Sequence, residues 1–137
     1  MPRVSPSLRD LVRRRANDTC EYCRMPQVFY RCSFQPDHII AEVHGGPTTL
    51  SNLCWACYHC NLYKGTNLGG IDPKTGKKAW LFNPRRMKWS RHFRWVGPVL
   101  FGRTAIGRAT IAVLNINDED YIQTRAMLIA EGVFPPV

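Results

Sequence analysis

The sequence has few acidic residues and no long hydrophobic run. Its 10 aspartates and glutamates stand against 19 lysines and arginines, which gives a formal net charge of +9. Such an excess of positive charge favours a polyanionic partner, because cations that meet phosphates release condensed counterions. A basic soluble protein without such a partner has the same composition, so charge alone leaves nucleic-acid binding open.

Apolar residues are also scarce at the N-terminus. The first 15 residues, "MPRVSPSLRDLVRRR", carry five arginines and lack the apolar stretch of a secretory signal or of a membrane span. We therefore expect a cytoplasmic protein without a membrane partner. A length of 137 residues is enough for one modest core, and we predict a single domain over residues 1–137.

The six cysteines are poor candidates for disulfides, because cytosolic thiols stay reduced. Four of them form two close pairs, "CEYC" and "CYHC", and two tight turns of this kind can offer four sulfurs to one tetrahedral ion. We predict a structural zinc site, since four thiolates leave no position open for water. The ligands would be Cys20, Cys23, Cys57 and Cys60. Cys32 and Cys54 lack such spacing, and we expect them to be small buried hydrophobic residues.

Sequence patterns predict helices and strands in the first half of the chain. Ser5 is a typical N-cap, Pro6 suits the first helical position, and apolar residues at helical spacing continue to about Ala16. The β-branched and aromatic run "QVFYRCSF" predicts a strand, "DHII" is expected at a strand end, and "LCWA" predicts a further strand. A short helix should run from Cys57 to Gly65, where glycine can end it.

The second half alternates turn residues with apolar segments. The stretch "LGGIDPKTGKK" is turn-rich and charged, which predicts a flexible linker or loop. The residues that follow predict a hairpin with Phe93 and Trp95 on one face and His92 and Arg94 on the other. Thr104 and Asp118 are expected to cap two helices, the second of which should carry an apolar stripe of Tyr121, Ile122, Ala126 and Ile129.

One segment resembles the HNH endonuclease family. The letters "DHII", "GG", "LSNL" and "CYHCNLYKG" follow one another in that order between residues 37 and 65. The resemblance implies the ββα-metal core, also called the His-Me finger, in its form stapled by four cysteines. It also implies a metal-dependent endonuclease that hydrolyses phosphodiester bonds in DNA, by nicking or by cutting both strands.

Patterns and resemblance together predict an α+β chain. A small ββα-metal core with the structural four-cysteine zinc site is expected at about residues 17–67. An N-terminal helix precedes this core, and an extension made of a hairpin and helices follows at about residues 79–137.

The resemblance also assigns roles to four residues. It implies that His38 is the general base that activates water, that Asn52 braces the loop, and that Asp37 and Asn61 bind a catalytic divalent metal. The last family letter is Asn61 rather than histidine, so the chain would be an H-N-N variant. Two oxygen donors favour Mg²⁺ or Mn²⁺ over metals that prefer imidazole, and the ion should be held weakly until a phosphate completes its coordination.

Several cations could contact the backbone of DNA. Lys64 lies one helical turn beyond Cys60 and could reach a phosphate. The run "NPRRMKWSRHFR" interleaves further cations with aromatic residues, which suits nucleic acid and equally suits a solvated hairpin face. These cations are Arg85, Arg86, Lys88, Arg91 and Arg94. The remaining histidines, His44, His59 and His92, are expected at the surface without a catalytic role.

Two other functions are compatible with the sequence. A zinc ribbon could bind nucleic acid without cutting it, and a nuclease of this kind could act on RNA. Asp37 and Asn61 favour a nuclease over a binding module, because a binding module has no use for two oxygen donors beside an imidazole.

Overall fold

A computed structural model describes residues 4–136. Helices and three two-stranded antiparallel sheets occur in these residues, which confirms the predicted α+β class. The chain divides into two compact units. The first runs to Thr66 and includes Asn83–Arg86, and the second comprises Asn67–Phe82 with the residues from Met87 onward. That both units form a single domain stays a prediction.

The first unit opens with helix α1, Pro6–Arg15. The hydroxyl of Ser5 accepts a hydrogen bond from the amide of Leu8, and proline occupies the first turn, so the predicted N-terminus is confirmed. The helix ends at Ala16, close to where the pattern predicts. Val12 is fully buried where α1 packs against the strands that follow.

Two strands and a helix form the centre of the first unit. β1, Gln35–His38, pairs antiparallel with β2, Leu53–Ala56. All four residues of β2 are buried, as its apolar sequence favours. Helix α2, Tyr58–Lys64, begins after Cys57, which serves as its N-cap, and ends before Gly65 at φ +52°. The order β1, β2, α2 agrees with the predicted ββα core.

The strand predicted over "QVFYRCSF" is wrong. Gln27–Phe29 form a single 3-10 turn, and extended pairing begins only at Gln35. The apolar side chains of this run form no common buried face, and Val28 is 81 % exposed. The side-chain oxygen of Gln27 accepts a hydrogen bond from the indole nitrogen of Trp55 at 2.9 Å. A side-chain contact therefore holds this segment where a strand ladder was expected.

The loop between β1 and β2 contains two 3-10 turns, Glu42–His44 and Leu50–Asn52. Gly45 ends the first turn with φ +85°, a conformation that L side chains rarely adopt. Gly46 is required for another reason, because a Cβ there would lie 1.7 Å from the carbonyl oxygen of Ile40. The two adjacent glycines thus serve a left-handed turn and a close backbone approach.

In the second unit, a hairpin replaces the predicted linker. β3, Gly69–Ile71, pairs antiparallel with β4, Lys78–Trp80. Asp72 holds the turn between them, since its amide donates to the carbonyl of Lys77 at 2.8 Å. Its buried carboxylate accepts two hydrogen bonds from the Arg108 guanidinium, at 2.8 and 2.9 Å. This distant partner fixes a stretch whose composition alone predicts a flexible loop.

The rest of the second unit confirms the predicted hairpin and helices. Its elements are the short helix α3, Trp89–His92, the strands β5, Phe93–Val96, and β6, Val99–Gly102, and the helices α4, Ala105–Val113, and α5, Glu119–Ala130. Thr104 caps α4 by accepting from the amide of Gly107, and Asp118 caps α5 by accepting from the amide of Asp120. Both caps are therefore confirmed.

Side-chain burial in the second unit agrees with one predicted pattern and corrects another. Phe93 is buried and Arg94 exposed, as predicted for the two faces of the β5–β6 hairpin, but His92, predicted on the face of Arg94, is buried at the end of α3 before the strand begins. The apolar stripe predicted on α5 is interrupted, because Ala126 is exposed while Arg125 is fully buried. The guanidinium of Arg125 donates to the carbonyl oxygen of Pro98 at 2.7 Å, so a polar group faces inward where apolar packing was predicted.

Candidate functional site

Four buried cysteines converge in the first unit. The sulfur atoms that lie within 4.8 Å of one another belong to Cys20, Cys23, Cys57 and Cys60. In each pair the amide of the second cysteine donates to the sulfur of the first, at 3.5 Å from Cys23 to Cys20 and at 3.4 Å from Cys60 to Cys57. The two pairs therefore form similar turns whose sulfurs point to a common centre.

This donor set fits a tetrahedral zinc ion. Zinc–sulfur bonds of about 2.3 Å place neighbouring sulfurs about 3.8 Å apart, and the sulfurs of Cys23 and Cys57 are 3.7 Å apart. All four side chains are buried, and thiolate is a ligand that zinc favours. The four cysteines would hold the ion and leave no position for water, as the sequence predicts for a structural site.

The two remaining cysteines differ from each other. Cys54 lies on β2, opposite Asp37, and is fully buried as predicted. Cys32 is exposed, so its predicted burial is wrong. It lies in the irregular segment before β1, where no apolar neighbour along a strand covers it.

Asp37 is held inside the first unit by three side chains. Its Oδ2 accepts from the hydroxyl of Tyr22 at 2.8 Å and from the thiol of Cys54 at 3.7 Å, and it lies 3.1 Å from the ammonium of Lys64. Because Tyr22 lies between the first two cysteines of the cluster, this residue connects the cluster to the carboxylate of Asp37. Among residues 4–136, these contacts all fall on Oδ2, which leaves Oδ1 for the cavity that Asp37 lines.

Opposing effects act on the pKa of Asp37. Burial raises this pKa, since a low dielectric disfavours the charged carboxylate, whereas the charge of Lys64 and the hydrogen bond from Tyr22 lower it; the net shift is upward. Burial also raises the pKa of Tyr22, so its hydroxyl keeps the proton that it donates. Burial therefore disfavours the ionised carboxylate, while the hydroxyl of Tyr22 and the ammonium of Lys64 stabilise its charge.

His38 follows at the end of β1 and is half-buried. Its Nε2 lies 2.9 Å from the hydroxyl oxygen of Thr48 and 3.8 Å from a carboxylate oxygen of Glu42. Both partners come from the loop that follows β1. They engage the Nε2 side of the ring, so Nδ1 is the nitrogen left for a water or a ligand.

Asn52 closes the loop that carries these partners. Its side-chain oxygen accepts from the amide of Ile40 at 2.9 Å, and its side-chain nitrogen donates to the carbonyls of Ile40 and Pro47, both at 2.9 Å. Its backbone carbonyl accepts from the amide of Ile39 at 2.8 Å. One buried amide thus satisfies backbone groups on both sides of the loop.

Asp37, His38 and Asn61 border one cavity of about 320 Å³. Glu42 borders the same cavity from the loop side, and Gly65 lies at the end of α2. The lining therefore combines carboxylate and amide oxygens with an imidazole, and oxygen donors are the ligands that hard divalent cations prefer.

The segment that builds this cavity and the cysteine cluster also matches a known family. Residues 20–67 match the HNH endonuclease family model. The predicted resemblance is confirmed for this segment, about a third of the chain, which we refer to as the HNH region. The HNH region indicates a nuclease or nucleic-acid-binding function. No curated protein and no solved structure matches the chain.

Lys64, near the end of the HNH region, is buried rather than open to a phosphate. It is 1 % exposed, and its ammonium donates to the carbonyl of His38 at 3.0 Å while it pairs with Asp37. Its predicted phosphate contact is therefore corrected to a structural one, in which the lysine ties α2 to β1. A buried carboxylate requires such a partner, because an unpaired charge inside a protein is costly.

Arg85 is committed in a similar way. Its guanidinium pairs with Glu21, whose second oxygen accepts from the amide of Trp55 at 2.7 Å. Burial lowers the pKa of Arg85 to about 10. The structure thus gives Arg85 an internal partner in place of the predicted DNA phosphate. The other predicted cations are exposed, namely Arg86, Lys88, Arg91 and Arg94.

The other histidines take three different environments. His44 is exposed, as predicted. His59 stacks beside Tyr63 with ring centroids 4.6 Å apart. His92 is buried, and its Nδ1 lies 2.6 Å from the hydroxyl oxygen of Thr104, so its predicted surface position is wrong. Burial, with the nearby charge of Arg91, lowers the pKa of His92, which favours the neutral ring.

Sequence reasoning missed three residues that shape the site: Tyr22, Glu42 and Thr48. Glu42 follows His38 by four positions, which hints at a contact only if a helical turn follows the strand. Tyr22 gives no signal of its own, since the residue between paired cysteines is usually exposed. Among residues 4–136, no helix combines the length and the apolar character needed to cross a bilayer.

Proposed function

We propose that the protein is a cytoplasmic, metal-dependent endonuclease that hydrolyses phosphodiester bonds in DNA. One observation carries the proposal: Asp37, His38 and Asn61 border the same cavity within the HNH region. Hydrolysis of a phosphodiester requires a base for the attacking water and stabilisation of the charge that develops on the phosphate. An imidazole and two oxygen donors in one cavity can supply both.

His38 is the general base of this proposal. With Nε2–H donating to the hydroxyl of Thr48, the lone pair of the neutral ring resides on Nδ1. Nδ1 then takes the proton of the water that attacks phosphorus in line with the leaving 3′ oxygen. The nearby carboxylate of Glu42 favours the positive charge that the ring acquires in this step.

Asp37 and Asn61 are the residues that would hold the catalytic divalent ion. Because Oδ2 of Asp37 is engaged by Tyr22 and Lys64, Oδ1 is the oxygen left to ligate the ion. When bound, Mg²⁺ or Mn²⁺ supplies charge stabilisation at the phosphate and the leaving oxygen. Lys64 offsets part of the charge of Asp37, which supports weak binding of the ion before the phosphate arrives.

Asn52 and the exposed cations have supporting parts. Asn52 keeps the loop with Glu42 and Thr48 closed against β1, so it positions the partners of His38. The exposed side chains of Arg86, Lys88, Arg91 and Arg94 are available for phosphates of the DNA backbone. Contacts of this kind fix the position of the polymer and carry little sequence preference.

A second candidate is a zinc-stapled module that binds nucleic acid without cutting it. One observation favours it: the ammonium of Lys64 lies 3.1 Å from the carboxylate that would ligate the metal. A carboxylate neutralised from inside the protein attracts a cation less strongly than a free one. The two candidates therefore differ in whether a divalent metal acts at Asp37.

The test is cleavage of supercoiled plasmid by the purified protein with Mg²⁺, with Mn²⁺ and with EDTA. We expect metal-dependent nicking or linearisation, and we expect His38→Ala to lose at least about a hundredfold in rate, which is the usual contribution of a general base. His44→Ala is the matched control, because His44 is an exposed histidine of the same loop.

Two results would contradict the proposal. Equal rates for wild type and His38→Ala would remove the base, and binding of plasmid without cleavage under any metal condition would favour the binding module. A parallel reaction with RNA at the same salt concentration tests the polymer, since binding strength changes steeply with salt. Faster cleavage of RNA than of DNA would indicate that RNA, and not DNA, is the substrate.

A further inference from the structure

The β3–β4 hairpin of the second unit presents an aromatic residue to solvent. In an antiparallel pair, residues opposite each other point to the same face. Gly69 lies opposite Trp80 and Ile71 opposite Lys78, so Ile71, Lys78 and Trp80 share one face. Trp80 is 68 % exposed and Ile71 is 51 % exposed, which makes this an unusually open position for an indole.

The other face of the hairpin packs closely against α4. A Cβ added at Gly70 would lie 2.3 Å from a methyl carbon of Val113, so the backbone of β3 approaches the helix directly. The turn is held by the pair of Asp72 and Arg108. Trp80 therefore belongs to a hairpin that is fixed by packing against α4 and by an ion pair, and not to a free loop.

The exposed charge of the hairpin has one sign. Lys74, Lys77 and Lys78 are all exposed. Asp72 supplies the one acid between residues 69 and 80, and it is buried against Arg108. The hairpin thus carries three exposed positive charges and no exposed negative one between residues 69 and 80, which is complementary to a polyanion.

A cavity of about 430 Å³ lies against the same hairpin. Its lining consists of the six strand residues Gly69, Gly70, Ile71, Lys78, Ala79 and Trp80. This volume falls within the range of about 300–1,000 Å³ typical of small-molecule sites. Because Gly69, opposite Trp80, carries no side chain, open space remains where a flat ring could lie on Trp80.

We propose that the exposed surface of this hairpin, called the hairpin face below and defined as Ile71, Lys78 and Trp80 on one side of the strands together with Lys74 and Lys77 at the turn, binds single-stranded DNA. Trp80 stacks on an unpaired base, and the lysines contact the phosphates that flank it. The inference rests on the proposed function for its choice of DNA as the polymer. A paired base has both of its faces covered by neighbours, so the hairpin face should prefer single strands to duplex.

The first test is the affinity for a fluorescent oligothymidylate in buffer without added Mg²⁺ or Mn²⁺, which withholds the catalytic ion and leaves the structural zinc in place. Trp80→Ala should weaken binding by about five- to a hundredfold, which corresponds to the loss of one stacked base. Trp80→Phe should retain most of the affinity, because phenylalanine also offers an aromatic face. Met127→Ala is the matched control, since Met127 is 69 % exposed in the same unit and should leave affinity unchanged.

An abasic strand separates stacking from charge. The loss caused by Trp80→Ala should disappear on that strand, because it offers no base. The triple change Lys74→Gln, Lys77→Gln, Lys78→Gln should lower the slope of log affinity against log salt by about 0.7 for each phosphate contact removed. Arg31→Gln, at an exposed arginine of the first unit, controls for a general loss of charge.

The outcomes for the hairpin and for the nuclease are independent. Unchanged affinity in Trp80→Ala with an unchanged circular dichroism spectrum would overturn the hairpin inference, as would an equal loss on duplex and on the abasic strand. If wild type cleaves plasmid but binds no single strand, the hairpin inference fails and the nuclease stands. If single-strand binding depends on Trp80 but plasmid is never cut, the nuclease fails and the hairpin inference stands.

Discussion

The two units of this chain are stabilised in different ways. The first contains all six cysteines and a buried polar group in which Asp37, Tyr22 and Lys64 meet. The second contains no cysteine and relies on aromatic packing, such as the edge-to-face contact of Phe82 and Phe93 at 5.3 Å. Where a small core gives room to charged groups, less apolar area remains to stabilise it.

The four-cysteine cluster, which could hold a metal ion, lies in the unit with the buried polar group. Charges taken out of water are costly even when they are paired, so a buried carboxylate such as that of Asp37 weakens the fold around it. A zinc ion held by four thiolates can offset that cost with binding free energy. In the second unit the charged pair of Asp72 and Arg108 has a buried carboxylate and a partly exposed guanidinium, joined by two hydrogen bonds.

Removing one zinc ligand should have the largest effect and should divide the two units. Structural zinc contributes roughly 10–16 kcal/mol in small zinc-finger peptides, against a typical net domain stability of about 5–15 kcal/mol. Cys57→Ser should therefore release zinc and unfold the first unit, while the second keeps its hydrogen-exchange protection. Cys32→Ser is the control, because Cys32 is exposed. Equal loss of hydrogen-exchange protection in both units would contradict the conclusion that the two units are stabilised differently.

Lys64→Met should have the next largest effect, confined to the first unit. It leaves the carboxylate of Asp37 buried without its cation, and breaking a buried pair costs about 3–5 kcal/mol. The pKa of Asp37, already raised by burial, should rise further. Since the folded state then binds a proton more readily than the unfolded one, the loss should shrink as the pH falls and the carboxyl becomes neutral.

Urea unfolding of this variant at neutral and at mildly acidic pH measures the effect. Lys74→Met is the control, because Lys74 is exposed and should leave stability unchanged. A loss that is the same at both pH values would show that the missing packing of the lysine stem, and not the unpaired charge, is responsible.

Tyr22→Phe should have a smaller effect. It removes one hydrogen bond to a charged group, worth roughly 1.5–3 kcal/mol, while Lys64 remains beside the carboxylate. Because the hydroxyl helps to fix Asp37, more Mg²⁺ should also be needed for half-maximal cleavage. Tyr63→Phe, at a half-exposed ring on the same helix as Lys64, is the control for both measurements. An unchanged Mg²⁺ requirement would show that Tyr22 does not influence the proposed metal ligand Asp37.

Arg108→Met should have the smallest effect, and it belongs to the second unit. Its guanidinium holds the pKa of Asp72 below the ordinary value. That contribution to stability is present above the ordinary pKa of an aspartate and is lost as the pH falls through the lowered one. The variant should thus be less stable than wild type at neutral pH and should approach it in acid.

The size of this effect is limited because Thr75 still donates to Asp72 and water reaches the guanidinium. Thermal unfolding across this pH range is the measurement, and Arg103→Met, at an exposed arginine, is the control. If Arg108→Met also reduced zinc retention, the two units would not be stabilised separately.

Local chemistry made much of the architecture predictable. The paired cysteines, the caps at Ser5, Thr104 and Asp118, and the apolar run of β2 each depend on residues within a few positions of one another. The motifs of the HNH region, such as "DHII" and "LSNL", are likewise short stretches of neighbouring residues. Such features need no knowledge of distant contacts.

Several of the wrong predictions involve partners far away in the sequence. Lys64 and Arg85 have the composition of surface cations, but each is drawn inward by a carboxylate, Asp37 or Glu21. The hairpin around Asp72 resembles a flexible loop until Arg108 is brought beside it. A pairing between residues that far apart leaves no periodic pattern, so only the folded chain reveals it.

Arg85 belongs to a stretch of four residues that returns to the first unit after the chain has entered the second. The family match ends at residue 67, so a gene fragment cut at that limit would lack the cation that neutralises Glu21. Such a fragment would retain every cysteine of the cluster and still place a lone acid between two of them. The family match therefore covers a shorter piece of the chain than the first unit needs to keep Glu21 paired.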